Sequence, residues 1–249
     1  MKVVFTQRGG GLDEYVTLLL HGDGADGATT TIDHSDYNNS ITLDGATLDT
    51  AQAKFGASSI LFDGVDDFAT VPDSDIFWFG QSDFTIDFQI MFSSTAGNQT
   101  PFTQYSDSID NVLEINFTPT GFEFQEASNN ITKFDARRTI ALANTTWYHI
   151  AVVKEGTGQN PVKFFFDGTS QTISWTVNMS AEYTLLNHSS QLIFGVRANS
   201  SSFFNGWIDE IRITKGLARW STDFTPPSAA YSADRAKMEI PSSFKLITA

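Results

Sequence analysis

The amino-acid sequence predicts an all-β protein in which antiparallel sheets pack as a sandwich, and three observations support this prediction. Aromatic residues make up 13% of the 249 residues, with 22 Phe among them, and aromatic and β-branched residues favour strands. Short apolar stretches alternate with turns rich in Gly, Asn, Asp and Pro along most of the chain. No long stretch has the apolar spacing of an amphipathic helix.

The composition limits which partners the protein can bind and which kinds of reactive or metal site it can form. Lys and Arg total 15 against 29 Asp and Glu, for a net charge of −14, and such a field repels nucleic acid and anionic lipid. The chain has no cysteine, which excludes disulfides, thiolate metal sites and a Cys nucleophile. No apolar stretch approaches the roughly 18–20 residues that span a bilayer, and no signal peptide is recognisable. We therefore expect synthesis in a reducing cytosol without membrane insertion.

The first predicted strand is the continuous apolar stretch of residues 15–21, which has the composition of a buried strand. Residues 1–14 before it indicate either an arm or a disordered tail, because the glycines at 9–11 are too permissive for a strand interior. Residues 25–39 after it are rich in Gly, Thr, Asp and Asn, and they predict a long loop.

The strongest predicted strand is Phe84–Phe92, because its sequence alternates cleanly between apolar and other residues. One face of this strand carries Phe84, Ile86, Phe88, Ile90 and Phe92. We expect the interleaved Asp87 and Gln89 to face solvent or a groove.

Further strands are predicted wherever a short apolar stretch ends at a turn signal. They cover residues 59–63, 68–71, 101–105, 111–117, 120–125, 131–134, 147–154, 162–166, 169–175 and 191–195. Asp167 and Gly168 predict a hairpin between two of them. Regular short strands of this kind are typical of a sandwich.

The last predicted element, residues 204–227, combines a strand, a turn and a stop. Alternation places Trp207, Asp209, Ile211 and Ile213 on one side of the strand. Residues 217–220 suggest one helical turn, and Pro226 with Pro227 ends the element. Residues 232–249 form a tail of mixed charge outside this pattern.

Four sequence pieces, taken in order, point to a known family. They are LLLHGDGADG at 18–27, KFGASSILFDGVDDFATVPDS at 54–74, TWYHIAVVKEG with VKFFFDG within 146–168, and FNGWIDEIRITKGLARW with FTPP within 204–227. Together they resemble the laminin-G-like jelly-roll domains of the concanavalin A-like lectin and glucanase superfamily. The resemblance covers residues 15–231. It implies two antiparallel sheets of six or seven strands, with the first and last strands adjacent, and it looks most like the branch found in bacteriophage virion proteins.

The same resemblance implies a structural Ca²⁺ ion where loops converge at the edge of the sandwich. The matching ligand positions are Asp33, the turn formed by Asp66 and Asp67, and Asp209 of the closing strand. Oxygen ligands from separate loops suit this hard cation. The alternative is that these aspartates are solvated turn residues. For Asp209, it is a carboxylate that caps main-chain amides or pairs with Arg212 or Arg197.

Hydrolytic activity is not expected. Glucanases of this fold carry a Glu-x-Asp-x-x-Glu pattern, whose paired carboxylates act on the glycosidic bond, and no glutamate here is followed two residues later by aspartate. The four histidines are scattered, and His149 lies between apolar residues, as a core histidine does. No nucleophile elbow or phosphate-binding loop is present. We therefore predict a protein that is not an enzyme.

Glycan binding through loop aromatics is a further hypothesis, because saccharides stack on exposed rings. The aromatic residues near predicted loops are Trp78, Tyr105, Trp175, Tyr183, Phe203 and Phe204. Such residues equally often pin a sandwich together or form subunit contacts.

These inferences predict a structural or adhesion component of a phage-like virion, such as a capsid decoration or tail-fibre protein assembled in the host cytoplasm. The arms (1–14 and 232–249) would dock on other virion proteins, the chain would form a homo-oligomer, and the sandwich would contact host surface glycans. The alternative is a carbohydrate-binding module or lectin of a secreted or surface protein.

Overall fold

The computed structural model describes residues 13–106, 108–197 and 201–232. Most of the predicted arm (1–14) and tail (232–249) therefore lies outside the described residues. Their proposed docking on a neighbouring subunit stays a prediction. Within the described chain, no helix is long and apolar enough to cross a bilayer.

The described residues form strands joined by turns and loops, with a single 3-10 turn at Asp75–Phe77. The strands are β1 (Val16–Leu20), β2 (Thr42–Asp44), β3 (Thr47–Asp49), β4 (Ser59–Asp63), β5 (Phe68–Val71), β6 (Phe84–Phe92), β7 (Gln99–Ser106), β8 (Ser108–Thr118), β9 (Gly121–Ser128), β10 (Ile131–Thr139), β11 (Trp147–Lys154), β12 (Val162–Phe166), β13 (Thr169–Gln171), β14 (Ser174–Val177), β15 (Leu192–Phe194) and β16 (Asn205–Lys215).

These strands form two antiparallel sheets, which confirms the predicted all-β jelly-roll sandwich. The first sheet has the order β13-β12-β11-β6-β16-β4-β3, with β1 paired to β16 off this path, and the second has the order β14-β10-β9-β8-β7-β15-β5-β2. The first and last strands, β1 and β16, are adjacent as expected. Each sheet has eight strands, slightly more than the six or seven that the resemblance implies.

Phenylalanine side chains fill the space between the sheets. Phe122 of β9 contacts Phe164 and Phe166 of β12 edge to face, with centroid distances of 4.8 and 5.2 Å. These contacts join the second sheet to the first. Burying one such ring stabilises a fold by roughly 1.5–3 kcal/mol relative to leaving it exposed, so the high Phe content accounts for much of the core.

The outer face of β6 differs from the prediction. Asp87 and Gln89 were expected to face solvent or a groove, but both are buried, like every other residue of this strand. Asp87 accepts two hydrogen bonds from Arg212 of the neighbouring β16, at 3.0 and 2.9 Å. The charge is tolerated there because its partner is buried with it.

The prediction that Trp207, Asp209, Ile211 and Ile213 share one side of β16 is wrong. Glu210 has a φ of 50°, and the pairing with β6 shifts register between Asp209 and Arg212. This β-bulge inserts an extra residue and reverses the alternation. As a result, the core receives Ile208, Ile211 and Ile213, whereas Asp209 lies on the outer face.

The segment after β16 covers the outer face of the first sheet, and we call residues 217–231 the C-terminal strap. The helical turn predicted here is absent, because the described residues 217–220 form only bends and irregular chain. Trp220 stacks on Phe224 at 4.0 Å, and both pack on Phe165 and its neighbours. The strap therefore buries apolar surface that a two-layer sandwich would otherwise expose.

The hairpin predicted at Asp167 and Gly168 joins β12 to β13 and is confirmed. Its second strand is shorter than expected. It ends at Gln171, and the next strand, Ser174–Val177, pairs with β10 of the second sheet. The predicted strand 169–175 thus divides between the two layers.

Candidate functional site

An open groove of about 390 Å³ lies at the end of the sandwich where β1 begins and β16 ends. Pockets that bind small molecules generally have volumes of roughly 300–1,000 Å³. We call it the Tyr37 groove. It is lined by Glu14, Thr17, Tyr37, Asp75, Ile76, Ser82, Lys215 and Gly216.

The base of the groove is set by the end of β16. Lys215 donates its backbone N–H to the Tyr15 carbonyl at 2.9 Å, and Gly216 donates to the Asp83 carbonyl at 2.7 Å. Gly216 has a φ of 88°, a conformation that glycine adopts without steric cost. The chain can therefore turn away from the sheet here and leave the groove open.

The wall that carries Tyr37 is held in place by Asp33. The two carboxylate oxygens of Asp33 accept hydrogen bonds from the Leu19 N–H, from the N–H and hydroxyl of Ser35, and from the N–H and amide of Asn39. Buried carboxylates require such partners. Asp33 thus ties the loop around Tyr37 to β1, and both of its oxygens accept hydrogen bonds from these donors.

The groove combines an aromatic ring with polar and charged groups. Tyr37 is 46% exposed, and Asp75 is also exposed. Lys215 donates from Nζ to the Asp75 carbonyl at 2.7 Å, and burial lowers its pKa while Asp75 opposes that shift. The site offers a flat apolar surface, carboxylate acceptors and an ammonium donor.

Two of the predicted metal ligands, Asp66 and Asp67, come together with Asp63. One carboxylate oxygen from each of the three lies within 4.8 Å of the others. The backbone N–H of Asp63 donates to Asp67 Oδ2 at 2.8 Å. Burial raises the pKa of Asp67, and the charges of Asp63 and Asp66 raise it further. Concentrated negative charge with hard oxygen ligands fits a Ca²⁺ ion.

The structure does not bring Asp33 and Asp209 to this cluster. Asp63 pairs with Asn205 on β16, so Asp209 is four residues farther along, about 13 Å at the rise of a strand. Asp33 is bonded to Leu19, which pairs with Arg212 and is farther still. The four predicted ligand positions therefore do not form one site, because only Asp66 and Asp67 belong to this cluster.

Asp209 is buried and caps main-chain amides, which is the alternative considered above. Its Oδ2 accepts from the N–H groups of Lys54 and Phe55 at 2.8 and 3.0 Å. Its Oδ1 has no hydrogen-bond partner. Burial raises the pKa of Asp209 to about 7, and the charge of Glu210 raises it as well, while the hydrogen bonds from Phe55 and Lys54 oppose this shift only in part.

Asp209 ends a row of buried polar side chains that crosses three strands. Gln89 of β6 lies opposite both His149 of β11 and Asp209 of β16. Both amide atoms of Gln89, Nδ1 of His149 and Oδ1 of Asp209 lack partners within the described chain. The His149 ring is thus only partly satisfied, through Nε2, which contacts the Tyr231 hydroxyl at 3.0 Å and Asp87 Oδ2 at 3.5 Å.

We expect Asp209→Asn to stabilise the fold at pH 8 by roughly 1–3 kcal/mol, since one pKa unit corresponds to about 1.4 kcal/mol. Asp209 has its pKa raised from 3.8 to about 7. Burying Asp209 therefore costs no stability through ionisation below pH 3.8, where the carboxyl is protonated in both states. The cost grows as the pH rises from 3.8 and is complete above about 7. The amide keeps an acceptor for Lys54 and Phe55. Urea unfolding at pH 4 and pH 8 checks this, and an equal effect at both values would contradict it.

Most of the aromatic residues proposed from the sequence do not form a binding surface. Phe204 is in the core, the Tyr183 hydroxyl donates to Glu126, and Trp175 packs against the core. Trp78 is 39% exposed, and its indole N–H donates to the Leu185 carbonyl. Tyr37 was not among the residues proposed from the sequence, although its position between Asp36 and two asparagines indicates an exposed loop tip.

Sequence comparison identifies the family. A family model of laminin G type, described as the Concanavalin A-like lectin/glucanases superfamily, matches residues 63–219. A search of curated proteins finds no match.

Structure comparison finds binding domains of the same fold. Domain 4 of AbnA, a GH43 extracellular arabinanase from Geobacillus stearothermophilus solved with arabinotriose, has a TM-score of 0.60 at 16% identity, covering 82% of this chain and 93% of that chain. The botulinum neurotoxin serotype D binding domain has a TM-score of 0.59 at 14% identity, covering 83% and 50%. The binding domain of Paraclostridial Mosquitocidal Protein 1 has a TM-score of 0.60 at 13% identity, covering 82% and 49%.

The present chain thus spans about half the length of the two toxin domains and nearly all of the arabinanase domain. At these identities, the likeness shows a shared fold. Together with the family match over residues 63–219, it establishes that this chain belongs to the Concanavalin A-like lectin/glucanases superfamily, in its laminin G-type family.

Proposed function

We propose that this protein is a non-enzymatic, lectin-like domain that binds glycans in the Tyr37 groove. The observation that carries the proposal is the exposed ring of Tyr37 above a groove lined by Glu14, Asp75 and Lys215. A sugar has an apolar ring face and a rim of hydroxyl groups. Tyr37 suits the ring face, and the charged side chains suit the hydroxyls as acceptors and donors.

Two comparisons support a glycan as the class of ligand. The chain belongs to a lectin and glucanase superfamily, and a domain of the same fold was solved with arabinotriose. Because one fold hosts many functions, the proposal depends on the groove itself. The rigid backbone under it, with Gly216 and Asp33 as anchors, would present a preformed surface at low entropic cost.

We expect Tyr37→Ala to weaken glycan binding at least tenfold, because removing a stacked ring costs about 1.4 kcal/mol or more. A glycan array identifies ligands of the native protein, and calorimetry then compares the variants. Val65→Ala is the control, because Val65 is 67% exposed but follows β4 at the opposite end of the sandwich. Unchanged affinity in Tyr37→Ala would exclude the Tyr37 groove as the binding site.

We also propose that Asp63, Asp66 and Asp67 hold the Ca²⁺ ion implied by the family resemblance. The ion would neutralise the clustered charge and fix the turn between β4 and β5. We expect 1 mM Ca²⁺ to raise the melting temperature by about 3 °C or more relative to chelator, through binding to the folded state alone. Asp66→Asn should abolish this shift. Equal melting temperatures with Ca²⁺ and with chelator would remove the proposal.

A virion setting, with homo-oligomers and cytoplasmic assembly, stays a prediction. Most of each arm proposed to dock on other virion proteins lies outside the described residues. The mass of the native assembly in solution distinguishes a component of a virion from an independent lectin. A defined multimer lost on deleting residues 1–12 or 233–249 would favour a particle component, and a monomer that binds glycans would favour an independent lectin.

A further inference from the structure

Two of the four histidines, scattered in the sequence, lie against each other in the structure. The ring centroids of His21 and His34 are 4.4 Å apart, with 57° between the ring planes. His34 is exposed, and the His21 side chain is 15% exposed. His149 and His188 are each only 1% exposed. All four lie within the described residues, so His21 and His34, the histidine pair, hold the imidazoles that a dissolved ion can reach.

Backbone contacts with β1 hold the histidine pair together. His21 directly follows this strand, and the His34 N–H donates to the Leu19 carbonyl at 2.8 Å. The Leu19 N–H in turn donates to Asp33 Oδ1 at 2.9 Å. These hydrogen bonds fix the chain around His34 beside the end of β1. None of them uses an imidazole nitrogen, so the proximity of the two rings follows from the fold of the backbone.

Glu210 orients the ring of His21. Its Oε1 lies 2.7 Å from His21 Nδ1, and its side chain is 1% exposed. The other carboxylate oxygen accepts the Tyr231 N–H at 2.6 Å, which holds the carboxylate in place. An ionised carboxylate only accepts hydrogen bonds, so His21 Nδ1 is the donor, and Nε2 of the neutral ring carries the lone pair. A carboxylate on one imidazole nitrogen and a metal on the other is a common arrangement in proteins.

The chemistry of the histidine pair suits a transition metal. Imidazole nitrogen is a preferred ligand of Zn²⁺, Ni²⁺ and Cu²⁺, and with no cysteine in the chain no thiolate competes for such an ion. Bonds from Zn²⁺ to His nitrogen are about 2.0–2.1 Å long, so one ion can contact both rings after a modest rotation of the exposed His34 side chain. The charges of Asp23 and Glu210 act on both rings and favour a bound cation.

We propose that His21 and His34 together bind one divalent transition metal ion, such as Zn²⁺, Ni²⁺ or Cu²⁺. Glu210 is the positioning residue behind His21, and water completes the coordination. The ion would join the end of β1 to the loop that carries Tyr37. This site differs in ligand chemistry and in location from the cluster of Asp63, Asp66 and Asp67, which offers oxygen ligands alone. It does not depend on the glycan-binding function.

The test uses untagged protein titrated with Zn²⁺ in a calorimeter. We expect His34→Gln and His21→Gln each to weaken binding at least tenfold, because even the loss of an outer partner of a ligand costs about 10–100-fold. Glutamine at position 21 keeps an N–H donor for Glu210. Asp66→Asn is the control, because it removes an oxygen ligand of the other cluster, and Zn²⁺ affinity should stay unchanged. Melting temperatures without metal establish that the variants are folded.

Electron paramagnetic resonance of bound Cu²⁺ identifies the ligands directly. We expect nitrogen hyperfine splitting from two imidazoles in the native protein and from one in His34→Gln. Glu210→Gln should lower Zn²⁺ affinity about tenfold while the Cu²⁺ spectrum still shows two imidazoles, and unchanged affinity would overturn the positioning role. Equal Zn²⁺ affinity in the native protein and His34→Gln, a loss in Asp66→Asn instead, or a spectrum without nitrogen splitting would overturn the site itself.

Discussion

We expect Arg212→Met to lower the free energy of unfolding by about 3–5 kcal/mol, because it leaves the buried Asp87 carboxylate without a counterion. Asp87 is fully buried and Arg212 is 9% exposed. The guanidinium forms two parallel hydrogen bonds to the carboxylate. It also lies over the Tyr231 ring at 3.8 Å and the Trp220 ring at 5.5 Å. The pair thus fastens the C-terminal strap to the first sheet.

Two matched variants separate charge from packing. Arg212→Lys keeps the charge but loses the planar fork, so it should fall between the native protein and Arg212→Met. The double variant Asp87→Leu/Arg212→Met removes both charges, and we expect it to lose less stability than the two single changes add up to. Guanidinium unfolding followed by tryptophan fluorescence measures all of them. A loss below about 1 kcal/mol in Arg212→Met would contradict the account, since surface pairs are worth no more than that.

The pH dependence of this ion pair has a defined sign. Burial by itself would raise the pKa of Asp87, but Arg212 and His149 hold it well below its ordinary value of 3.8. The pair therefore stabilises the fold above pH 3.8, and its contribution is lost as the pH falls below that value. The stability difference between the native protein and Arg212→Met should shrink over the same range.

We expect Phe122→Ala to lower the free energy of unfolding by about 3–5 kcal/mol, the usual cost of removing a buried aromatic ring and leaving a cavity. Phe122 is fully buried and contacts Phe117 in its own sheet as well as Phe164 and Phe166 across the sandwich. Few replacements would remove as many contacts between the two layers.

The controls for this prediction vary size and location. Phe122→Leu retains most of the apolar volume and should lose markedly less stability than Phe122→Ala. Ile131→Ala removes an apolar side chain that is 60% exposed, and it should change stability by less than about 0.5 kcal/mol. A loss for Phe122→Ala similar to that of Ile131→Ala would show that the ring is not part of the core.

The strands were predictable because their signals are local. Phe84–Phe92 alternates over nine residues, and the Asp167–Gly168 turn specifies a hairpin by its own conformational preferences. Neither depends on distant parts of the chain. The pairing of β1 with β16 came from the family resemblance, since these strands are far apart in sequence.

The predictions for β16 and for Asp87 were wrong because contacts between distant parts of the chain decide these positions. No local signal distinguishes Glu210, with its positive φ, from an ordinary strand residue, so the bulge and the reversed position of Asp209 were missed. The burial of Asp87 depends on the C-terminal strap, which folds back from residues 217–231. Tertiary contacts of this kind override alternation within a single strand.

The candidate site was predictable only in part, for a similar reason. Asp66 and Asp67 are neighbours in sequence, and Asp63 joins them through a short turn. Asp33 also lies in an oxygen-rich loop, but five hydrogen-bond donors surround its carboxylate. Sequence shows which residues carry oxygen ligands, and not which of them the fold has already satisfied.

NMR can show whether a glycan binds this protein in the Tyr37 groove. The native protein, labelled with ¹⁵N, is titrated with the neutral glycan that binds best on the array. We expect the largest amide shift changes at Tyr37, Ser82 and Gly216, and we expect Tyr37→Ala to reduce them. Shift changes concentrated on another surface of the sandwich would contradict the assignment of the Tyr37 groove, and the absence of any change would contradict glycan binding itself.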